Sequence, residues 1–149
     1  MKLHNISINK GFTLFEVLIV LGLFVVLVSF GLFVSMDFYR GSSFRSERNT
    51  VVSILTKARN QSLNNVNEAP HGVFFPAGAY VLFQGPSYAS RTTAFDETIT
   101  ATPTVTRSGL SEIVFSQLSG NANVSGSIFM SNGTRTSTVL INYEGRMDW

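Results

Sequence analysis

The sequence predicts an α+β protein: a long N-terminal helix, membrane-spanning in its first half and amphipathic in its second, packed on a C-terminal antiparallel β-sheet or β-sandwich. Three observations carry this. Residues 12–34 form a 23-residue apolar run with Glu16 as its single charge, and a helix of that length spans the roughly 30 Å hydrocarbon core of a bilayer. Residues 44–62 place apolar side chains at helical spacing. Beyond Pro70 the chain breaks into short β-branched and aromatic runs separated by turn residues.

Size and charge limit the rest. Of 149 residues, those after residue 34 suffice for one small domain with a single core. Cysteine is absent, which removes disulfides, thiol nucleophiles and cysteine metal sites. The net charge of +2 overstates the basicity of the body: from Asp37 onward nine Lys and Arg face eight Asp and Glu. That is no electrostatic footprint for nucleic acid.

Residues 1–11 are short, polar and weakly basic, with Lys2 and Lys10 ahead of the apolar run. A secretory signal peptide has a shorter apolar region and a small-residue cleavage site; here the run is longer, and no alanine precedes Ala58. Basic residues flank both ends, Lys2 and Lys10 on one side and Arg40, Arg45 and Arg48 on the other, so charge alone does not orient the segment. An unpaired carboxylate at membrane depth costs several kcal/mol and normally has a partner or is protonated. Gly22 and Gly31 are weak points of the helix, each costing about 1 kcal/mol against alanine in water.

The stretch Lys10-Gly11-Phe12-Thr13-Leu14-Phe15-Glu16-Val17-Leu18 resembles the class III signal of type IV pilins and type II secretion pseudopilins: a basic leader, a glycine, a phenylalanine directly after it, and a glutamate at the fifth position beyond the glycine. The resemblance implies cleavage between Gly11 and Phe12 by prepilin peptidase, N-methylation of Phe12, and a role for Glu16 in assembly, where it meets the terminal amine of a neighbouring subunit. Buried opposite charges can set register, which a filament needs. The implied location is the cytoplasmic membrane, single-pass, with the C-terminal domain outside the cytoplasm, and a pilus or pseudopilus after assembly. The implied partners are other pilin or pseudopilin subunits, prepilin peptidase, an inner-membrane assembly platform and membrane lipid.

After Val34 the polar patch Met36-Asp37-Phe38-Tyr39-Arg40-Gly41-Ser42-Ser43 predicts a bend or loosening of the helix. From Phe44 the pattern returns. Phe44, Val51, Ile54, Leu55, Ala58 and Ser62 fall on one face, with Arg45, Arg48, Lys57 and Arg59 over the remaining surface, as in a helix with one packing face and a solvated one. It ends near Asn64-Asn65.

In the body, His71–Phe75 and Ala79–Gln84 flank Pro76-Ala77-Gly78, a hairpin signal. Ile99–Arg107 is β-branched enough for a strand, with Pro103 marking an edge or a break. Glu112–Leu118 comes next as a strand, then the turn Ser119-Gly120-Asn121. Gly126–Ser131 and Thr136–Tyr143 flank Asn132-Gly133, the strongest hairpin turn in the chain. Val139, Ile141 and Tyr143 alternate with Thr138, Leu140 and Asn142, as in a half-buried strand. Glu144-Gly145 turns once more. Segments Lys57–Ser62, 71–84 and the succession Phe115, Gly120, Ile128, Gly133, Ile141, Gly145 resemble the layout of GspH/FimT-type minor pseudopilins and pilins.

The sequence carries no catalytic set. His71, beside a turn, reads as a strand-edge side chain, and beyond the expected leader no second histidine or cysteine joins it for a metal site. Nucleophile-elbow, P-loop and dinucleotide patterns are absent. Asp96-Glu97 is the only adjacent acidic pair; some major pseudopilins hold calcium in a loop, but an exposed loop is the plainer reading. Tyr88, Tyr143 and Trp149 read as core aromatics of a sheet. The division expected is a cleaved leader (1–11), a transmembrane or filament-core helix (12–34), an amphipathic helix half (35–66) and a β-rich domain (67–149). The function expected is that of a non-enzymatic minor pilin or pseudopilin subunit with no cofactor or metal. The alternative is a DNA-binding minor pilin, with Arg91, Arg107 and Arg135 as its cationic residues.

Overall fold

The computed structural model describes residues 11–149; the remainder of the leader, with Lys2 and Lys10, lies outside the described residues. The chain divides into two compact units, Met1–Tyr39 and Arg40–Trp149. Helix α1, Leu14–Leu63, supplies secondary structure to both. In the first unit, Leu14–Leu32 is long and apolar enough to cross a membrane, and none of it is buried. Its apolar side chains point outward all round.

Through Gly41-Ser42-Ser43 the helix carries on without interruption, where the sequence predicts loosening. Gly41 is buried. A Cβ there would lie 3.2 Å from the guanidinium of Arg135, so the glycine admits a close side chain and leaves the helix intact. Beyond it, Phe44, Val51, Ile54, Leu55, Ala58 and Ser62 are all buried, as their spacing predicts. The helix stops at Leu63, and Asn65 takes a left-handed conformation (φ 53°) at the turn into a short 3-10 segment, Val66–Glu68.

Two four-stranded antiparallel sheets complete the second unit. The strands are β1 His71–Phe74, β2 Ala79–Gln84, β3 Glu97–Thr100, β4 Thr106–Gly109, β5 Glu112–Phe115, β6 Gly126–Ser131, β7 Thr136–Ile141 and β8 Met147–Asp148. One sheet runs β3-β2-β1-β5, the other β4-β6-β7-β8. The hairpin β1–β2 pairs His71 with Gln84 and Phe74 with Val81. The hairpin β6–β7 pairs Gly126 with Ile141 and Ser131 with Thr136, with a four-residue loop holding Asn132-Gly133. Inward-facing Val73, Leu82, Ile113 and Phe115 of one sheet, and Ile128, Met130, Val139 and Ile141 of the other, join the buried face of α1 in a single core. The fold is α+β, as predicted.

Four local expectations are corrected. The segment Ile99–Arg107 is not one strand: Pro103, which has no N–H to donate, separates β3 from β4, and the two belong to different sheets. The strand expected to reach Leu118 ends at Phe115, and Leu118 sits at φ 63° in the turn. The strand expected to reach Tyr143 ends at Ile141, and Tyr143 is exposed. His71 lies on β1, which has neighbours on both sides, so it is an interior residue.

Candidate functional site

The amino end of α1 is built from Gly11, Phe12, Thr13 and Glu16. Thr13 precedes the first helical residue, and its hydroxyl accepts a hydrogen bond from the Glu16 amide at 3.2 Å. The Thr13 carbonyl takes the Val17 amide at 3.2 Å. This is N-capping, and Thr13-x-x-Glu16 has the spacing of a capping box, a signal present in the sequence that explains why the helix starts here. The Glu16 carboxylate lies in the first turn, where the helix dipole favours negative charge. Phe12 is 79 % exposed. Among the described residues no atom lies within 4 Å of where a Cβ on Gly11 would stand. Gly11, Phe12 and Glu16 are all exposed.

The second half of α1 is fastened to the sheets by polar groups as well as by its apolar face. The Ser62 hydroxyl donates to the Phe115 carbonyl at 2.9 Å and accepts the His71 amide at 2.8 Å, while the Ser62 carbonyl takes the Leu118 amide at 2.9 Å. Arg59 donates to the carbonyls of Gly120 (3.2 Å) and Glu144 (3.3 Å). Gly145 (φ 72°) makes room for this: a Cβ there would stand 2.2 Å from the Gly120 carbonyl oxygen and 2.8 Å from the Arg59 Nε. The helix end thereby holds the two turns that come after β5 and β7.

A third tie leaves no mark in the sequence. Glu47 is only 4 % exposed. One carboxylate oxygen accepts the Tyr80 hydroxyl of β2; the other accepts the Thr102 hydroxyl at 2.6 Å. Arg107 of β4 lies over the rings of Phe75 (4.7 Å) and Tyr80 (5.5 Å) and donates to the carbonyls of Phe75 (2.9 Å) and Pro76 (3.0 Å). Burial, reinforced by the Glu47 carboxylate, pushes the Tyr80 phenol well above its usual range. Burial lowers the Arg107 guanidinium, with Tyr80 and Glu47 opposing. One buried acid therefore links α1 to the first sheet and, through Tyr80, faces a cation of the second.

The remaining candidates are engaged locally. Asp96 pairs with Arg91 at 2.8 Å and Glu97 with Lys57 at 2.5 Å, and among the described residues no cluster of three His, Asp or Glu could hold a metal. Arg91 also lies 3.7 Å over the Tyr88 ring. Arg135 abuts Gly41. Tyr88 stacks on Phe74 with ring centroids 3.9 Å apart. Tyr143 and Trp149, expected in the core, are exposed at the end of the second sheet. Among the described residues buried His71 has no hydrogen-bond partner for Nδ1; burial depresses its pKa, with the Ala69 backbone opposing. Compared with protein-family profiles, curated proteins and solved structures, the chain matches none.

Proposed function

We propose that this chain is a minor pilin-like structural subunit of a type IV pilus or type II secretion pseudopilus. Prepilin peptidase cuts between Gly11 and Phe12, Phe12 is methylated on its new amine, and the subunit waits in the cytoplasmic membrane until α1 is drawn into a filament. The observation that carries the reading is the surface of Leu14–Leu32. These residues are apolar on every side and none is buried, and they begin directly behind Gly11-Phe12, with Glu16 as their one charge.

Burying one large aliphatic or aromatic side chain is worth about 1.5–3 kcal/mol. A helix that exposes Leu14, Phe15, Leu18, Leu21 and Phe24 together needs an apolar surrounding. Lipid supplies it before assembly and neighbouring copies supply it afterwards. Glu16 is costly in either place unless it finds a cation, and the amine released at Phe12 of an adjacent copy is one.

The DNA-receptor reading has less support, because of its three cations Arg91 is paired with Asp96 and Arg107 donates to backbone carbonyls, which leaves Arg135 alone. The test of the subunit reading is co-expression with prepilin peptidase, then intact-mass spectrometry. The wild-type chain loses residues 1–11 and gains one methyl group, and Gly11→Leu stays full length. An uncut wild-type chain would refute it.

A further inference from the structure

The two sheets differ in what lies on their outer faces. On the first, Gly72, Phe74, Val81, Phe83 and Val114 point away from α1 by strand alternation, and the segment after β2 covers them. Tyr88 stacks on Phe74 and meets Phe83 edge-on at 5.7 Å, and its amide is held by Glu112 at 2.8 Å. Among the described residues the second sheet has no such roof. By register its outer face carries Thr106 and Ser108 of β4, Ser127, Phe129 and Ser131 of β6, and Thr136, Thr138 and Leu140 of β7. Phe129 is 51 % exposed and Leu140 52 %. They are diagonal neighbours, Phe129 standing opposite Thr138 and Leu140 two residues on. The one ionisable residue that β4, β6, β7 and β8 turn to this face is Asp148, at the β8 edge and paired with Arg146.

A depression of about 370 Å³ opens on this face, its wall including Thr106, Arg107, Ser108, Phe129, Thr136 and Thr138. That is within the size range of small-ligand sites. Ser108 and Thr136 are exposed and Thr138 is half-buried; each hydroxyl can both donate and accept. We propose that this face binds a neutral polysaccharide, one sugar ring stacking its C–H face on Phe129 and its hydroxyls bonding the threonine and serine rows.

Charge and area select this occupant. Nucleic acid and acidic lipid headgroups need free cations; of the arginines here, Arg146 is paired with Asp148 and Arg107 donates to the Phe75 and Pro76 carbonyls. Strands of four, six, six and two residues, about 4.8 Å apart and about 3.3 Å per residue, give roughly 300 Å², under half of the about 800 Å² per partner of a stable protein complex. A neutral glycan needs less area, and its matched donor and acceptor groups are those of the hydroxyl rows. The proposal does not depend on the filament reading; repetition along a filament would multiply the avidity of a weak single site.

The test is saturation-transfer NMR of the full chain in dodecylphosphocholine micelles, whose headgroup carries no sugar. The probes are maltohexaose, cellohexaose and chitohexaose, with a hexauronate as charged control. At least one neutral hexasaccharide binds, Phe129→Ala weakens it about tenfold, Thr138→Val about threefold, and the hexauronate binds at least about tenfold more weakly. Both variants alter an exposed face, and an unchanged urea midpoint verifies that each is folded. Three results overturn the proposal: no neutral probe bound at about 10 mM, affinity unmoved by both folded variants, or the hexauronate bound as tightly as the neutral chains.

Discussion

The two halves of α1 are made of similar apolar residues and meet different surroundings. Between Phe44 and Ser62 the apolar positions form one stripe, and every member is buried against the two sheets. Between Leu14 and Leu32 they cover the whole circumference, and none is buried. Periodicity thus separates a helix that packs on its own domain from one that must find its apolar surroundings elsewhere. The polar residues show the same division. Glu47 has its hydrogen-bond partners within the domain; the Glu16 carboxylate lies exposed in the first turn of its own helix.

The contrast can be broken by substitution. Leu55→Ala removes a fully buried side chain and should cost about 2–5 kcal/mol of domain stability, measured by urea unfolding of the full chain in detergent. Leu23→Ala, in the exposed half, should change the same stability by less than about 0.5 kcal/mol. Comparable losses would show that the two halves are not energetically distinct. Glu47→Ala comes next: it strands the Tyr80 and Thr102 hydroxyls and leaves Arg107 facing no acid, a loss of about 3 kcal/mol. Glu47→Gln should recover part of that loss, because its carbonyl still accepts one hydroxyl.

His71 gives the smallest effect. Burial holds its pKa below the ordinary 6.5, so the unfolded chain binds the proton more readily than the folded one. Stability is then fully present above about pH 6.5 and declines as pH falls from there toward the depressed folded value. Urea midpoints of wild type should drop between about pH 6.5 and 5, and His71→Gln should flatten that drop. An equal drop in the variant would assign it to other groups.

Much of the fold is legible from local pattern. The packed stripe of α1 comes from spacing, the β1–β2 hairpin from Pro76-Ala77-Gly78, and the end of the helix from Asn64-Asn65. What escapes depends on partners distant in sequence. Glu47 looks like a member of the charged surface until Tyr80 and Thr102, 33 and 55 residues away, close on it. Gly41 looks like a helix breaker until Arg135 is seen to lie against it. His71 beside a turn looks like an edge residue, yet β5 pairs along its open side. At the amino end the capping pair Thr13 and Glu16 is legible, because it acts within a single helical turn and requires no tertiary partner.

The claim that Glu16 sets assembly while the packed half of α1 only holds the domain is tested most directly by one variant. In cells producing the filament machinery, the amount of Glu16→Leu recovered in sheared filaments is measured against the amount in the membrane. The account predicts normal membrane insertion, an unchanged urea midpoint, and incorporation reduced at least about tenfold, the factor that about 1.4 kcal/mol confers. Incorporation equal to wild type would contradict it.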